Sequence, residues 1–238
     1  MKVAIFDFDG TLFPVETIPF LIKQYPKLGY SRLKQVKMFL GLIPELLAYK
    51  LSRKADKEKF RHRAVYLFLS MFDGMTEDEV DEFFLKNVTR VQELLDPEVL
   101  SEVKRCQDEG YHTVLLSGCF DMLLKPLGAY YHFDEVIGTS LIFQPLEDGQ
   151  PRMSSKVPIA IISGDQKVSA AKTIGQGAEV DWGASIAYAD SYYDAPVLGL
   201  VGHKVAVNPD QRLRTIAQER DWQLLITTHG QAKVNYSD

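Results

Sequence analysis

Seven residues have types and spacing that suit joint chemistry. Asp7 and Asp9 follow a short apolar run, Val3 to Phe6, and lie two apart, so in extended chain they face the same way. Ser117 and Gly118 follow a second apolar run that ends at Leu116. Lys167 comes just after Gly164-Asp165-Gln166, and Asp190 and Asp194 follow a run that ends at Ala189. Asp7, Asp9 and Asp190 gathered at one point would repel one another unless a cation sat among them. Hard oxygen ligands in small number suit Mg²⁺, which keeps several waters and bridges to phosphate oxygens. Ser117 would add a hydroxyl donor and Lys167 a positive charge. Taken singly, most of these residues have a plain structural reading: Asp7 or Asp9 caps the turn before Gly10, and Ser117 sits in a turn. Lys167 resists that reading. If Asp165 caps a helix, Lys167 lies in its first turn, where a cation opposes the helix dipole at a cost of about 0.3–1 kcal/mol. A local rule broken in this way points to function.

The elements that must bring these residues together follow from apolar periodicity. Val3-Ala4-Ile5-Phe6 reads as a strand buried on both faces, as in a parallel sheet. Residues 14–95 read as helical: Leu33, Val36, Phe39, Leu40, Ile43 and Leu47 recur at helical spacing behind Ser31, and Pro44 is expected to bend or break that helix. Residues 60–72 form a further helical stretch, and Thr76-Glu77-Asp78-Glu79 is a capping-box pattern for a helix to about Leu95. From residue 96 on, helix and strand alternate. Asp96-Pro97 opens a helix, and strands are expected at 112–116, 185–189, 203–207 and 222–227, with helices near 121–131 and 165–176. The stretch 136–163 suggests a hairpin turning at Glu147-Asp148-Gly149, and the tail from Thr228 is expected to fray. The fold class is therefore α/β, a Rossmann-like parallel sheet flanked by helices, with a helical-bundle cap inserted after the first strand. The expected division is 1–13 plus 96–238 for the catalytic core and 14–95 for the cap. In such sheets ligands bind beyond the carboxyl ends of the strands, which is where six of the seven residues fall, with Lys167 at the start of a helix.

Composition excludes several classes. The 238 residues are 46% hydrophobic and 25% charged, ordinary globular usage that rules out general disorder, collagen and coiled coil. A net charge of −5 gives no global positive field, so neither nucleic acid nor membrane is an expected partner. Cys106 and Cys119 make neither a disulfide framework nor a four-ligand zinc site, and a reducing, cytoplasmic location is expected. No targeting segment is recognised, because Asp7 cuts the first apolar run short. The run from Met38 to Leu51 has two readings, a surface that touches lipid or a helix inside the cap, and the second is preferred. Aromatic residues such as Phe20, Tyr30, Phe39, Tyr49, Phe60, Tyr66, Phe68 and Phe72 are read as cap core. The scattered histidines are read as surface or core, and Cys119 as buried filler.

Asp-Phe-Asp-Gly-Thr at 7–11, Ser117 after a strand, Lys167, and Asp190 with Asp194 together resemble the four signature motifs of the haloacid dehalogenase (HAD) superfamily of phosphohydrolases. Ser117-Gly118-Cys119-Phe120-Asp121 and Glu16 further resemble its subfamily IB, the phosphoserine-phosphatase-like members. The resemblance implies a Mg²⁺-dependent phosphatase that hydrolyses a small phosphorylated metabolite through an aspartyl-phosphate. Asp7 would be the nucleophile, and Asp9 the general acid and then the base. Asp7, the Asp9 main-chain carbonyl and Asp190 would hold the metal, with Asp194 a nearby or water-mediated ligand. Phe8, Ser117, Gly118 and Lys167 would line the phosphoryl site, and Glu16 would meet a substrate amine. The sequence departs from the phosphoserine-phosphatase pattern at Tyr193, where an Asn precedes the last acid. Arg61 and Arg63 are the candidates for the cap Arg that meets a substrate carboxylate.

Two rival readings use the same groups. A receiver-like phospho-acceptor switch also clusters Asp, a hydroxyl, Lys and Mg²⁺ on a parallel sheet, but lacks a helical insert after its first strand. A phosphotransferase would pass the phosphoryl group to an alcohol instead of water.

Overall fold

The computed structural model describes residues 1–51, 57–145, 149–175 and 177–228. In chain order its strands are β1 (Val3–Phe6), β2 (His112–Phe120), β3 (Glu135–Thr139), β4 (Phe143–Pro145), β5 (Pro151–Met153), β6 (Ile186–Ala189), β7 (His203–Val207) and β8 (Gln223–Leu225). Its α-helices are α1 (Thr17–Gln24), α2 (Arg32–Leu51), α3 (Lys57–Leu69), α4 (Glu77–Gln92), α5 (Pro97–Asp108), α6 (Asp121–Tyr130), α7 (Gly164–Ala171), α8 (Ala195–Leu198) and α9 (Gln211–Glu219). They divide into two compact units, one of residues 1–16, 88–139 and 161–238, the other of 17–87 and 140–160.

The first unit carries a six-stranded sheet in the order β3-β2-β1-β6-β7-β8, every neighbouring pair parallel. All four residues of β1 and of β6 are buried, as a central strand covered on both faces requires. On one face Val3, Ile5, Leu116, Ala187 and Ala206 pack with Ala171 of α7, Leu198 of α8 and Leu213 of α9. On the other face Phe6 stacks on Tyr188, ring centroids 4.4 Å apart, and the Tyr188 hydroxyl donates to Glu102 of α5 at 2.7 Å. The chain leaves β1 for β2 on one side and returns to β6 on the other, so the strand order reverses at the β1/β6 edge. The carboxyl ends of those two strands are where an open α/β sheet offers its crevice.

The second unit is built around Tyr25, Phe68, Phe72, Phe83 and Phe84, all buried. Thr76 and Glu79 cap α4 reciprocally: the Thr76 amide donates to the Glu79 carboxylate at 2.8 Å, and the Glu79 amide to Thr76 Oγ1 at 3.3 Å. The antiparallel hairpin β4–β5 belongs to this unit. Main-chain bonds of 2.9 and 2.8 Å tie Met153 to Gly74 and Met75, and Asp73 accepts from the Ser155 amide at 2.6 Å and hydroxyl at 2.9 Å. Residues 140–160 thus fold with the helices 17–87, whereas sequence pattern alone sets the boundaries at 14 and 95 and leaves all later residues in the core.

Other differences are local. α2 runs unbroken through Pro44. The ring is exposed, so the Leu40 carbonyl that loses its donor faces water and the helix need not break there. β2 continues past Leu116 to Phe120 with a register irregularity against β3, which puts Ser117 and Gly118 inside the strand end, not after it. α7 begins at Gly164 after Ser163, so Asp165 lies inside its first turn instead of capping it, and it stops at Ala171. Phe39 is exposed, against its reading as core. The expected turn residues Glu147 and Asp148, and the tail from residue 229, lie outside the described residues.

Candidate active site

β1 ends at Phe6 and delivers Asp7 into the crevice, where the Asp7 amide donates to the Tyr188 carbonyl of β6 at 3.0 Å. The chain then turns back at once. The Phe8 carbonyl accepts from Thr11 and Phe13 at 3.2 and 2.8 Å, and the Gly10 amide donates to Phe13 at 2.7 Å. Gly10 has φ +80°, and a Cβ there would run into the Asp190 carboxylate. The absence of a side chain at residue 10 is therefore what lets the first loop close against the end of β6. Oxygens of Asp7, Asp190 and Asp194 all lie within 4.8 Å of one another. Ser191 accepts from the Tyr193 amide at 3.2 Å and starts the short turn that carries Asp194. From α7, Lys167 Nζ donates to Asp7 Oδ1 at 2.7 Å and to Asp194 Oδ1 at 2.5 Å.

Lys167, Asp7 and Asp194 are all buried. Burial pushes the Asp7 carboxyl up to about 6, although the Lys167 charge and hydrogen bond and the Phe8 amide pull it down. Burial alone would lower the Lys167 ammonium, but the Asp194 and Asp7 carboxylates outweigh it and hold the pKa above the usual lysine value. Among the described residues three carboxylates, Asp7 and Asp194 buried and Asp190 half-buried, meet one ammonium, which leaves an excess of negative charge. An all-oxygen donor set with that excess fits a hard divalent cation such as Mg²⁺.

The family model for haloacid dehalogenase-like hydrolases matches residues 4–199, from β1 to just past α8. The chain belongs to this family. In sequence it is similar to the phosphoserine phosphatase SerB1 of Mycobacterium tuberculosis, 42% identical over 64 residues, which is 27% of this chain and 21% of that protein. It is also similar to a histidinol-phosphatase of Neisseria meningitidis, 25% identical over 146 residues, 60% of this chain and 61% of that protein. The chain thus spans about a fifth of the first relative's length and about three fifths of the second's. A solved protein of unknown function from Bordetella pertussis has the same fold, with a TM-score of 0.75 at 20% identity over 94% of this chain and 97% of that one.

In this HAD-like hydrolase the remaining sequence-selected residues take varied positions. Asp9 is half-buried at the rim of the first loop, bridged in main chain to Phe13. The Phe8 ring is not at the site: it is fully buried against Phe13, centroids 5.4 Å apart, so only its main chain faces Asp7. Ser117 is buried and its hydroxyl accepts from the Cys119 amide at 3.1 Å. Gly118 makes room for the neighbouring segment, since a Cβ would sit 2.8 Å from the Ile162 carbonyl. Glu16 is exposed immediately before α1. Arg63 pairs with Glu45 at 3.2 Å, and Arg61 is exposed on the same helix.

Two residues of the site went unassigned in the sequence. Asp210 accepts from the Tyr192 amide at 3.0 Å and from Leu213 at 2.8 Å, and its own amide donates to the Asp190 carbonyl at 2.9 Å. It fastens the Asp190 loop to α9. Its signal was the N-cap pattern Asn208-Pro209-Asp210 after a strand. Thr11 is fully buried, and its hydroxyl is the one buried side-chain polar atom without a hydrogen-bond partner among the described residues.

Proposed function

We propose that the protein is a Mg²⁺-dependent phosphatase that hydrolyses a small phosphomonoester through phosphorylation of Asp7. The observation that carries this reading is the Lys167 ammonium bridging Asp7 and Asp194, with Asp190 within ligand distance of both. A carboxylate attacks a dianionic phosphate poorly because both are negative. Mg²⁺ held by Asp7, Asp190 and the Asp9 main-chain carbonyl would offset the charge of the phosphoryl oxygens. Lys167 adds a second positive charge, and Asp194 fixes where that charge points. Asp7 Oδ forms a bond to phosphorus as the ester oxygen leaves, and Asp9 gives that oxygen its proton. Asp9 then takes a proton from water, the water oxygen bonds to phosphorus, and the Asp7 carboxylate is released with inorganic phosphate. Ser117 and the amides around Phe8 and Gly118 would hold the phosphoryl oxygens.

Phosphoserine and histidinol phosphate, which name the activities of the two relatives, are both phosphate esters of amine-bearing alcohols. That supports an ammonium on this substrate as well, with Glu16 as its acceptor in a charge-assisted bond. Cys106 and Cys119 are both buried and neither is in a disulfide, which supports a reducing, cytoplasmic setting. The test is phosphate release from a panel of phosphomonoesters with Mg²⁺ and with EDTA. The reading expects turnover in Mg²⁺ only and a preference for amine-bearing esters. Glu16→Gln should lower kcat/KM on those esters about tenfold and leave p-nitrophenyl phosphate unchanged. Equal rates in EDTA would refute the metal. A uniform loss with Glu16→Gln would make that residue structural.

A further inference from the structure

Of the fourteen large apolar side chains exposed among the described residues, seven lie on α2: Leu33, Val36, Phe39, Leu40, Ile43, Leu46 and Leu47. Their spacing of three and four residues puts them in one continuous stripe along the helix. Leu33 and Leu40 are 65% and 60% exposed. Among the described side chains of α2 only Met38 is buried. The helix inside the cap preferred from the sequence is thus a helix that leaves most of its apolar surface in water, and a patch of that kind marks an interaction site.

Charge indicates what covers it. Residues 23–63 carry twelve lysines and arginines against three acidic residues. That is +9 in a chain of net charge −5, so the remaining residues hold −14. Exposed Arg32 and Lys37 lie on α2 itself, and exposed Lys23 and Lys27 precede it. We propose that the exposed face of α2 is an interfacial docking surface for bilayers that carry anionic phospholipid headgroups. An apolar stripe edged by cations is the pattern of a helix lying in the plane of a membrane. No described helix is long and apolar enough to cross one, so α2 lies on the bilayer. A second copy of the chain fits worse: a two-fold interface sets the same patch, with its exposed Arg32 and Lys37, against itself.

The test is flotation of the full chain with phosphatidylcholine vesicles, with and without about one third phosphatidylglycerol. The proposal expects at least about tenfold tighter binding to the anionic vesicles, lost on going from about 0.05 to 0.5 M salt. Leu40→Asp with Leu47→Asp should reduce that binding at least about tenfold, with the melting temperature kept because both sites are exposed. Arg32→Glu with Lys37→Glu should reduce it on anionic vesicles alone. Equal binding to both vesicles, no binding to either, or full binding by the leucine variant would overturn the proposal. So would a dimer in sedimentation equilibrium that Leu40→Asp dissolves, which would make α2 an interface between copies.

Discussion

Neither Asp7 nor Lys167 is stable as a lone buried charge; each holds the other ionised, and Asp194 completes the arrangement. Asp190 adds a third carboxylate to this cluster, so in the proposed metal site protons and Mg²⁺ would compete for Asp7. The sign follows from burial. With its folded pKa raised to about 6, Asp7 in the metal-free protein contributes less to stability as pH rises from its ordinary 3.8 toward 6, because the folded state then gives up a proton it holds better than the unfolded chain. A divalent cation removes that penalty only where the carboxylate is free. The Mg²⁺-induced rise in melting temperature should therefore be larger at pH 7.5 than at pH 5. Apparent Mg²⁺ affinity should weaken by about tenfold per pH unit below the Asp7 pKa. Thermal melts with titrated Mg²⁺ at the two pH values check this, and equal increments would take Asp7 out of the metal site. Asp9 is tested separately: Asp9→Asn should slow alkyl phosphates far more than p-nitrophenyl phosphate, whose leaving group needs no proton. Equal losses would exclude a general acid at residue 9.

At the scale of elements, the site depends on three close approaches: the first loop against Asp190, the end of β2 against residue 162, and the Asp190 loop against α9. The second is a backbone contact that cannot give way at the tip of a side chain. The Gly118 carbonyl accepts from Thr139 Oγ1 at 2.8 Å, which in turn accepts from the Ile162 amide at 3.1 Å. Gly118→Ala should therefore cost about 1–3 kcal/mol of stability through overpacking, measured by denaturant unfolding. A loss under about 0.5 kcal/mol would show that this segment moves aside freely. The same region shows what sequence pattern can carry. β1 and β6 were legible because both faces are buried and the apolar run is unbroken, and β7 from its buried end Val205-Ala206-Val207. The last turn of β2 was not, because Ser117-Gly118-Cys119 interrupts the run while the ladder to β3 continues through an irregular register. The N-cap of α5 was legible from Asp96-Pro97, and Asp96 accepts from the Glu98 and Val99 amides. The partner of the β4–β5 hairpin was not, since a two-residue period reports a pleat but not what it packs on.

Across the whole molecule, parallel connections put the carboxyl ends of β1 and β6 side by side, so Asp7 and Asp190, 183 positions apart in sequence, meet. The convergence of strand-end residues could be expected from βαβ alternation alone. Which oxygen meets Lys167, the retreat of the Phe8 ring into the core and the anchoring by Asp210 could not, because they depend on tertiary packing. The surface of α2 was misjudged for a related reason: helical periodicity marks a face as apolar but does not say whether anything covers it. Phosphorylation of Asp7 followed by hydrolysis of the aspartyl-phosphate can be read in one acid-quench measurement. Enzyme mixed with Mg²⁺ and a turned-over phosphomonoester is quenched in acid during steady state, digested and analysed by mass spectrometry, with released phosphate counted in the same samples. One phosphoryl group is expected on the peptide that contains Asp7, none in Asp7→Asn, and many phosphates released per enzyme. A phosphoryl group on another residue, or phosphorylation of Asp7 with no further release, would contradict this mechanism.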